Sequence, residues 1–221
     1  MAKFTIIGDV HGQLTRYLDI IACSDYSIQL GDFCINFSEK ELPFCHANRH
    51  KFIRGNHDNP ELAKSHPAYL GDYGIWNGIF FLSGTNSYDA CVRTIGVNLW
   101  ENEELSLGEL AKAIELYQEF KPSFVVTHDC PQMLVEKFGI RNEGSRTKTR
   151  AALQVMFESW KPDFWFFGHH HRSMSLMVKT CRFTCLNILE SFTFEWFHNN
   201  QTANNIFPFI NRKTINGKST A

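Results

Sequence analysis

Five short apolar runs, each followed within three residues by an aspartate, asparagine or histidine, constrain the fold of this chain more than any other feature. The runs span residues 4–7, 27–30, 51–53, 124–126 and 164–167. Each has the length and the β-branched or aromatic bias of a buried strand that ends at a turn. In α/β sheets the binding loops lie at the C-terminal ends of the strands, so we expect these polar side chains to gather at one edge.

Helical patterns separate the runs, and the alternation of strand and helix predicts an α/β fold. Ser106 and Glu109 match a capping box, which supports a helix that begins there. We predict helices over residues 13–22, 39–48, 106–120 and 146–160.

Two further segments, 74–82 and 174–197, contain short β-prone stretches with few helix signals. They predict antiparallel strands, either in a second sheet or at the outside of mixed sheets. A chain of 221 residues lies in the single-domain range. We predict one domain over residues 1–198 and a polar C-terminal tail over 199–221 that is partly docked or disordered. The aromatic content of 14% is typical of a core filled by large rings or of an apolar partner surface, and of these two we favour the core.

Charge and cysteine usage restrict the partners and the compartment. A formal net charge of −1 argues against non-specific nucleic-acid binding, although a local basic patch stays possible. No apolar run approaches the roughly 20 residues of a membrane span. The first apolar run is followed by Gly8 and Asp9, so we expect no signal peptide before this polar motif. The seven cysteines form no Cys-x-x-Cys pair, as in a reducing compartment. We expect a cytoplasmic protein without a membrane segment.

The polar residues that follow the five apolar runs form five clusters, and the first two of these clusters suit metal binding. Asp9 and His11 are two residues apart, so on an extended segment their side chains point the same way and can chelate one ion. Asp32 follows the second run, and a carboxylate there can bridge two metals about 3.5–4 Å apart. An isolated Gly-Asp pair is more often an Asx turn, so Asp32 gains its weight from the other clusters.

The remaining clusters add nitrogen and amide oxygen donors. Asn56 offers an amide oxygen, and His57 has the pKa range needed to donate a proton near neutral pH. His128 adds an imidazole at another strand end, and His169 and His171 add two more. A structural histidine is the usual interpretation for any one of them, but it does not explain a regular series.

The series of clusters resembles the calcineurin-like metallophosphoesterase superfamily. The blocks Gly8-Asp9-Val10-His11, Gly31-Asp32, Gly55-Asn56-His57-Asp58, His128 and Gly168-His169-His170-His171 stand in the order of that family's five motifs. The resemblance covers residues 8–171, and residues 87–93 and 100–104 are also similar to small bacterial and phage members. It implies two packed mixed β-sheets flanked by helices, a four-layer α/β/β/α sandwich, with a dinuclear centre at the strand ends.

The resemblance also implies roles for individual residues. His57 is similar to the family's non-ligand histidine that steadies or protonates the leaving group, and the attacking group would be a hydroxide that bridges the metals. The first metal would be held by Asp9, His11, Asp32 and His171, and the second by Asp32, Asn56, His128 and His169.

The second block departs from one branch of the superfamily. Protein Ser/Thr phosphatases carry Gly-Asp-x-x-Asp-Arg-Gly, whereas residues 31–37 here read Gly-Asp-Phe-Cys-Ile-Asn-Phe. The arginine that clamps a phosphomonoester and the aspartate that orients the catalytic histidine are missing. The departure disfavours a protein phosphatase and leaves phosphodiesterases and broad phosphatases ahead.

Two basic groups are candidates for substrate contacts, although a solvated surface is the simpler interpretation of each. Residues 49–54 form the first group, and Arg141, Arg146, Lys148 and Arg150 form the second. We favour the second, and in it Arg146 and Arg150, because it lies beside the predicted metal-bearing edge. Arg93 is a further candidate.

Together these features predict a metal-dependent phosphoric ester hydrolase that acts on phosphate mono- or diesters, with a nucleotide or a small phosphorylated compound as substrate. A nuclease or protein phosphatase with the same centre and a non-catalytic binding module of the same fold are the alternatives. Two divalent ions are expected, manganese in the first place, with iron, zinc, nickel or cobalt also compatible with mixed nitrogen and oxygen ligands. Nucleic acid is not favoured as a partner, and the oligomeric state stays open.

Overall fold

The structure is a computed structural model that describes residues 2–34, 40–42, 47–88, 90–139 and 147–196. Strands and helices alternate through most of this part of the chain, as an α/β fold requires. Among these residues no helix is both long enough and apolar enough to cross a membrane. The predicted boundary between residues 198 and 199, and the tail that follows, lie outside the described residues.

All five predicted runs are confirmed as strands. The described strands are β1 Ala2–Ile7, β2 Tyr26–Gln29, β3 His50–Phe52, β4 Tyr73–Trp76, β5 Ile79–Leu82, β6 Phe124–Thr127, β7 Phe164–Phe167, β8 Met174–Val178, β9 Cys181–Cys185 and β10 Ser191–Trp196. They form two sheets. The four-stranded sheet has the order β10-β1-β2-β3, and the six-stranded sheet has the order β4-β5-β6-β7-β9-β8.

The described α-helices are α1 Leu14–Ala22, α2 Pro60–Ser65, α3 Leu107–Phe120, α4 Gln132–Lys137 and α5 Lys148–Ser159, and a 3-10 helix spans Ala90–Val92. Three of the four predicted helices are confirmed, and the capping box of Ser106 and Glu109 is present at the start of α3. The two short helices α2 and α4 were not predicted. Asn59 caps α2, and Pro60 begins it.

The helix predicted over 39–48 is wrong in its described part. Residues 40–42 and 47–49 form turns and a bend, and the remainder of that segment lies outside the described residues. Pro43 gives a physical reason, because a proline in a helix interior removes one backbone hydrogen bond and clashes with the preceding turn.

The buried apolar side chains form three hydrophobic clusters. Alternate residues of β1, including Phe4 and Ile6, pack between the sheets against rings such as Phe124 and Phe166. A second cluster joins α3, α4 and α5 to the outer face of the six-stranded sheet, and a third joins α1 and α2 to the four-stranded sheet. The result is the predicted four-layer α/β/β/α sandwich, with much of the aromatic content in its core.

The sheet topology places the polar clusters at one edge. Strands β1, β2 and β3 are parallel to one another, and β6 is parallel to β7, so their C-terminal ends lie together within each sheet. The loops that follow these ends carry the five polar clusters of the sequence.

Candidate metal centre

Potential metal ligands converge where the C-terminal ends of strands from the two sheets lie close together. Within the described residues, two groups of candidate ligand atoms match the two predicted sites, with all atoms of a group within 4.8 Å of one another. Asp32 belongs to both, as a bridging carboxylate would. The groups are Asp9, His11, Asp32 and His171, and Asp32, His128 and His169.

In the first group, nitrogen and carboxylate oxygen atoms approach one point. Nε2 of His171 lies 3.1 Å from Oδ2 of Asp9 and 2.7 Å from Nε2 of His11. Nε2 of His11 lies 3.8 Å from Oδ2 of Asp9 and 3.9 Å from Oδ2 of Asp32. The hydrogen bond with Asp9 raises the pKa of His171 above its usual value, whereas burial lowers the pKa of His11.

The amide of Asn56 lies beside the second group. Oδ1 of Asn56 lies 3.1 Å from Nε2 of His128, which in turn lies 3.5 Å from Oδ1 of Asp32. The amide orientation is set by Ser87, whose Oγ accepts a hydrogen bond from Nδ2 of Asn56 at 2.9 Å. Nδ1 of His128 donates to the carbonyl of Leu30 at 2.7 Å, which directs its Nε2 toward the two oxygens.

These side chains fit divalent cations. Because Nδ1 of His128 donates to a carbonyl, Nε2 of a neutral His128 is a hydrogen-bond acceptor. This nitrogen faces two further acceptors, Oδ1 of Asn56 and Oδ1 of Asp32. Three acceptors around one point require a proton or a cation between them. Burial alone would lower the pKa of His128, but the carboxylates of Asp32 and Asp9 raise it above its usual value. Nε2 of His169 is buried and, among the described residues, has no hydrogen-bond partner. Such an orphaned nitrogen is costly unless a ligand satisfies it.

The backbone at the centre is unusual for these residue types. His11, Asp32, His169 and His171 all have positive φ angles, between +46° and +65°. This left-handed region is uncommon for residues other than glycine, and such residues cluster at functional sites. The loops thus turn sharply where each strand ends, and this turn points the ligands inward.

Two glycines make room for the carboxylates. A Cβ atom at Gly55 would overlap Oδ1 of Asp32, and one at Gly168 would overlap Oδ1 of Asp9. The glycines in these two motifs therefore have a steric role, since any side chain there would displace a candidate ligand.

A buried carboxylate that sequence reasoning passed over supports the centre. Asp58 accepts hydrogen bonds from the backbone N–H groups of Gly55 at 2.8 Å and Cys34 at 2.9 Å. It thereby ties the loop after β3 to the loop after β2, which carries Asp32. Burial raises the pKa of both carboxyls, that of Asp32 to about 7.

His57 lies at the rim of the centre. Its backbone N–H donates to Oδ1 of Asp32 at 2.9 Å, and its Nε2 lies 3.9 Å from Oδ2 of the same residue. The side chain is 33% exposed, so a substrate can reach it. The structure brings His57 together with Arg93, whose Nη2 contacts Nε2 of His57 and whose Nη1 donates to Oγ of Ser87 at 3.1 Å.

The basic residues predicted beside the centre are placed differently. Arg150 is only 7% exposed, and its Nε donates to Oδ2 of Asp129 at 2.7 Å. Its guanidinium is thus engaged by a buried carboxylate that belongs to neither of these two ligand groups. Arg146 and Arg141 lie outside the described residues.

Asp129 and His170 form a neighbouring pair to which the sequence analysis gave no role. Nε2 of His170 lies 3.1 Å from Oδ1 of Asp129, and the hydroxyl of Thr85 donates to Oδ2 at 2.7 Å. Burial would raise the pKa of Asp129, but His169, His170 and Arg150 together lower it well below its usual value. The proximity of both residues to known clusters was visible in the sequence, but their pairing across 41 residues was not.

The profile of the calcineurin-like phosphoesterase family matches residues 2–173. The match covers well over half of the chain, which therefore belongs to this family. The protein is accordingly a metal-dependent phosphoric ester hydrolase whose substrate is a phosphorylated compound. Comparison with curated proteins gave no significant match.

The solved structures to which this chain is similar are distant from it in sequence. A Thermotoga maritima protein solved by NMR has 15% identity, covers 95% of this chain and 98% of its own, and has a TM-score of 0.39. Phosphopantetheinyl hydrolase from Mycobacterium tuberculosis has 11% identity, with coverages of 85% and 90% and a TM-score of 0.46. A putative 5′-nucleotidase from Staphylococcus aureus has 13% identity, with coverages of 88% and 51% and a TM-score of 0.46.

Proposed function

We propose that this protein is a dinuclear phosphoesterase that hydrolyses phosphate mono- or diesters of a nucleotide or another small phosphorylated compound. The position of Asp32 carries the proposal. Its Oδ2 lies 3.9 Å from Nε2 of His11 in one ligand group, and its Oδ1 lies 3.5 Å from Nε2 of His128 in the other. A carboxylate with one oxygen toward each group is suited to bridge two ions.

The proposed ligands are those given by the sequence. Asp9, His11, Asp32 and His171 would hold the first ion, and Asp32, Asn56, His128 and His169 the second. Mixed imidazole, carboxylate and amide ligands suit manganese, which we propose as the native metal, and also admit iron, zinc, nickel or cobalt. When bound, two divalent ions supply positive charge for the phosphoryl oxygens and lower the pKa of water.

The residues of the chain supply the remaining chemistry. Nε2 of His57 lies on the open side of Asp32 and can donate a proton to the leaving oxygen, which would otherwise depart as a strongly basic alkoxide. Arg93 lies against His57 and can share the negative charge on the non-bridging phosphoryl oxygens. In this proposal both residues touch the substrate and neither is a metal ligand.

An assay combined with metal analysis tests the proposal. Purified protein supplied with manganese should hydrolyse p-nitrophenyl phosphate or bis-p-nitrophenyl phosphate and bind two ions per chain by elemental analysis. The ratio of the two rates establishes whether monoesters or diesters are preferred. Protein that hydrolyses neither compound and binds no metal would contradict the proposal.

Two histidine variants separate catalysis from metal binding. His57→Ala should lower kcat by about a hundredfold, a typical effect of losing a general acid, with both ions retained. His128→Ala serves as the matched control and should lose metal together with activity, because its Nε2 belongs to the ligand group. Loss of metal in His57→Ala would instead identify His57 as a ligand.

A further inference from the structure

A cavity of about 360 Å³ opens directly beside the proposed reaction centre. His57 forms part of its wall, so a substrate whose leaving oxygen approaches His57 would extend its alcohol portion into this space. The volume lies in the range of pockets that enclose small ligands. The chemistry of the wall can therefore indicate which alcohol the enzyme accepts.

Trp100 gives the cavity a flat, fixed aromatic surface. Its indole Nε1 donates to the carbonyl of His57 at 3.4 Å, and its backbone N–H donates to Oε1 of buried Glu103 at 3.2 Å. Leu62 and Val97 also line the cavity and are 40% and 68% exposed. These apolar surfaces would be covered by a planar ring, whereas a small alcohol without a ring would gain less from contact with them.

Two asparagines, Asn59 and Asn98, also line the cavity and can supply it with hydrogen-bond donors. Oδ1 of Asn59 accepts the backbone N–H groups of Glu61 and Leu62 at 3.0 and 3.2 Å. Oδ1 of Asn98 accepts the backbone N–H of Thr94 at 2.7 Å. With each amide oxygen engaged by the backbone, Nδ2 is the group that each side chain can offer to a ligand.

We propose that this cavity binds the nucleoside portion of a nucleotide substrate, with the base against Trp100 and its acceptor atoms toward Asn59 and Asn98. This inference rests on the proposed function, since it assumes phosphoester hydrolysis at the adjacent centre. A nucleobase combines a planar ring with ring nitrogens and carbonyl oxygens, which are the features that the wall complements. Glu41 adds a carboxylate to the lining, which would disfavour a leaving group that carries a second phosphate.

Substrate preference tests the role of Trp100. The measured quantity is the ratio of kcat/KM for adenosine 5′-monophosphate or uridine 5′-monophosphate to kcat/KM for glycerol 2-phosphate. Trp100→Leu should lower this ratio about tenfold, as expected for loss of one base-stacking contact. Trp100→Phe keeps a flat ring but loses the N–H bonded to His57, and should retain most of the preference. Trp160→Leu removes an indole that is 37% exposed at the end of α5 and should leave the ratio unchanged.

Isosteric variants test the two donors without removing their structural bonds. Asn59→Asp and Asn98→Asp keep the oxygen that accepts the backbone N–H groups and replace only the amide nitrogen. Each should raise KM for the nucleotide several-fold, about the effect of exchanging one donor for a repelling oxygen. An unchanged KM in both variants would overturn the assignment of the donors.

Direct binding separates this inference from the proposed function. Adenosine and uridine should compete with the substrate, and titration calorimetry on the manganese-loaded protein should show binding that Trp100→Leu weakens about tenfold. If p-nitrophenyl phosphate is hydrolysed but neither nucleoside binds and the ratio does not depend on Trp100, the nucleoside pocket is wrong and the phosphoesterase stands. If no phosphoester is hydrolysed, the proposed function fails, and the calorimetry still reports on the pocket.

Discussion

The guanidinium of Arg93 contacts the imidazole of His57, with Nη2 against Nε2. A guanidinium has donors only, so Nε2 of His57 is the acceptor in this contact and its proton lies on Nδ1. Donation of a proton from Nε2 thus requires Arg93 to exchange this nitrogen for another acceptor, and Nε2 must take up a proton from solvent before it can donate one. A phosphoryl oxygen is a stronger, charged acceptor, so we expect substrate binding to release His57 for its role.

This relationship predicts a substrate effect for Arg93. Arg93→Ala should lower kcat/KM for p-nitrophenyl phosphate by about ten- to a hundredfold, because a charged donor to the phosphoryl group is lost. Arg93→Lys should recover only part of it, since an ammonium group lacks the planar fork of donors. Steady-state kinetics, with metal content as the control, measures the effect. Unchanged kinetics in the alanine variant would remove Arg93 from the substrate site.

Ser87 is expected to act on the metal through Asn56. Ser87→Ala removes the acceptor that holds Nδ2 of Asn56, so the amide oxygen is no longer fixed toward His128. Loss of such support typically lowers metal affinity about tenfold or more. Titration with manganese measures the change.

Ser83→Ala is the matched control for that variant. Ser83 is also buried, but its Oγ donates to the carbonyl of Gly71 at 2.7 Å, outside the ligand groups. It should leave manganese affinity unchanged. Equal losses in both variants would point to general destabilisation rather than to the orientation of Asn56.

Gly55 provides a steric test of the proposed bridging role of the Asp32 carboxylate. Gly55→Ala would place a methyl group on Oδ1 of Asp32 and should abolish binding of at least one ion. Gly108→Ala is the control, because a Cβ atom at that helical position meets nothing within 4 Å. It should raise the free energy of unfolding by about 0.5–1 kcal/mol through helix propensity. Elemental analysis and urea unfolding measure the two outcomes, and full metal content in Gly55→Ala would contradict the bridging position of Asp32.

The raised pKa of Asp32 predicts how metal affinity depends on pH. Burial raises this pKa to about 7, so in the metal-free protein the carboxyl takes up a proton below about pH 7. A divalent ion needs the carboxylate, and binding therefore displaces that proton. The apparent affinity for manganese should fall by up to about tenfold for each pH unit below 7. Calorimetry at several pH values measures it, and an affinity independent of pH would contradict the shift.

The same shift predicts the opposite trend for the metal-free fold. Because the folded pKa of Asp32 lies above the unfolded value, its favourable contribution is present at low pH and is lost as the pH rises from about 4 to 7. Chelator-treated protein should thus lose at least about 1 kcal/mol of stability over this interval relative to Asp32→Asn. The comparison with this variant isolates Asp32 from the titrating histidines nearby.

Local sequence patterns predicted the strands and helices around the candidate metal centre, because apolar runs and helix caps are properties of short segments. The run before Asp9 and the run before His128 are strands, and the capping box at Ser106 begins α3. The helix predicted over 39–48 was wrong in its described part. That prediction followed the spacing of apolar residues and gave too little weight to Pro43, which disfavours a helix interior.

The arginines show where local patterns are insufficient. Arg93 is an isolated basic residue and Arg150 belongs to a basic group, but neither pattern shows which guanidinium faces the candidate centre. The fold buries Arg150 against Asp129, 21 residues away, and brings Arg93 to His57, 36 residues away. Long-range pairing decides such roles, because a guanidinium binds whichever carboxylate or nitrogen the chain places beside it.

By itself, the sequence determined the α/β class and the set of donors at the strand ends, since strand periodicity and ligand chemistry are properties of short segments. Only the tertiary structure decided that Asp32 belongs to two groups of candidate ligands, that Ser87 orients Asn56, and that Trp100 lines a cavity together with His57. These relationships join loops from both sheets, and their distances depend on how the sheets pack, which no local pattern records.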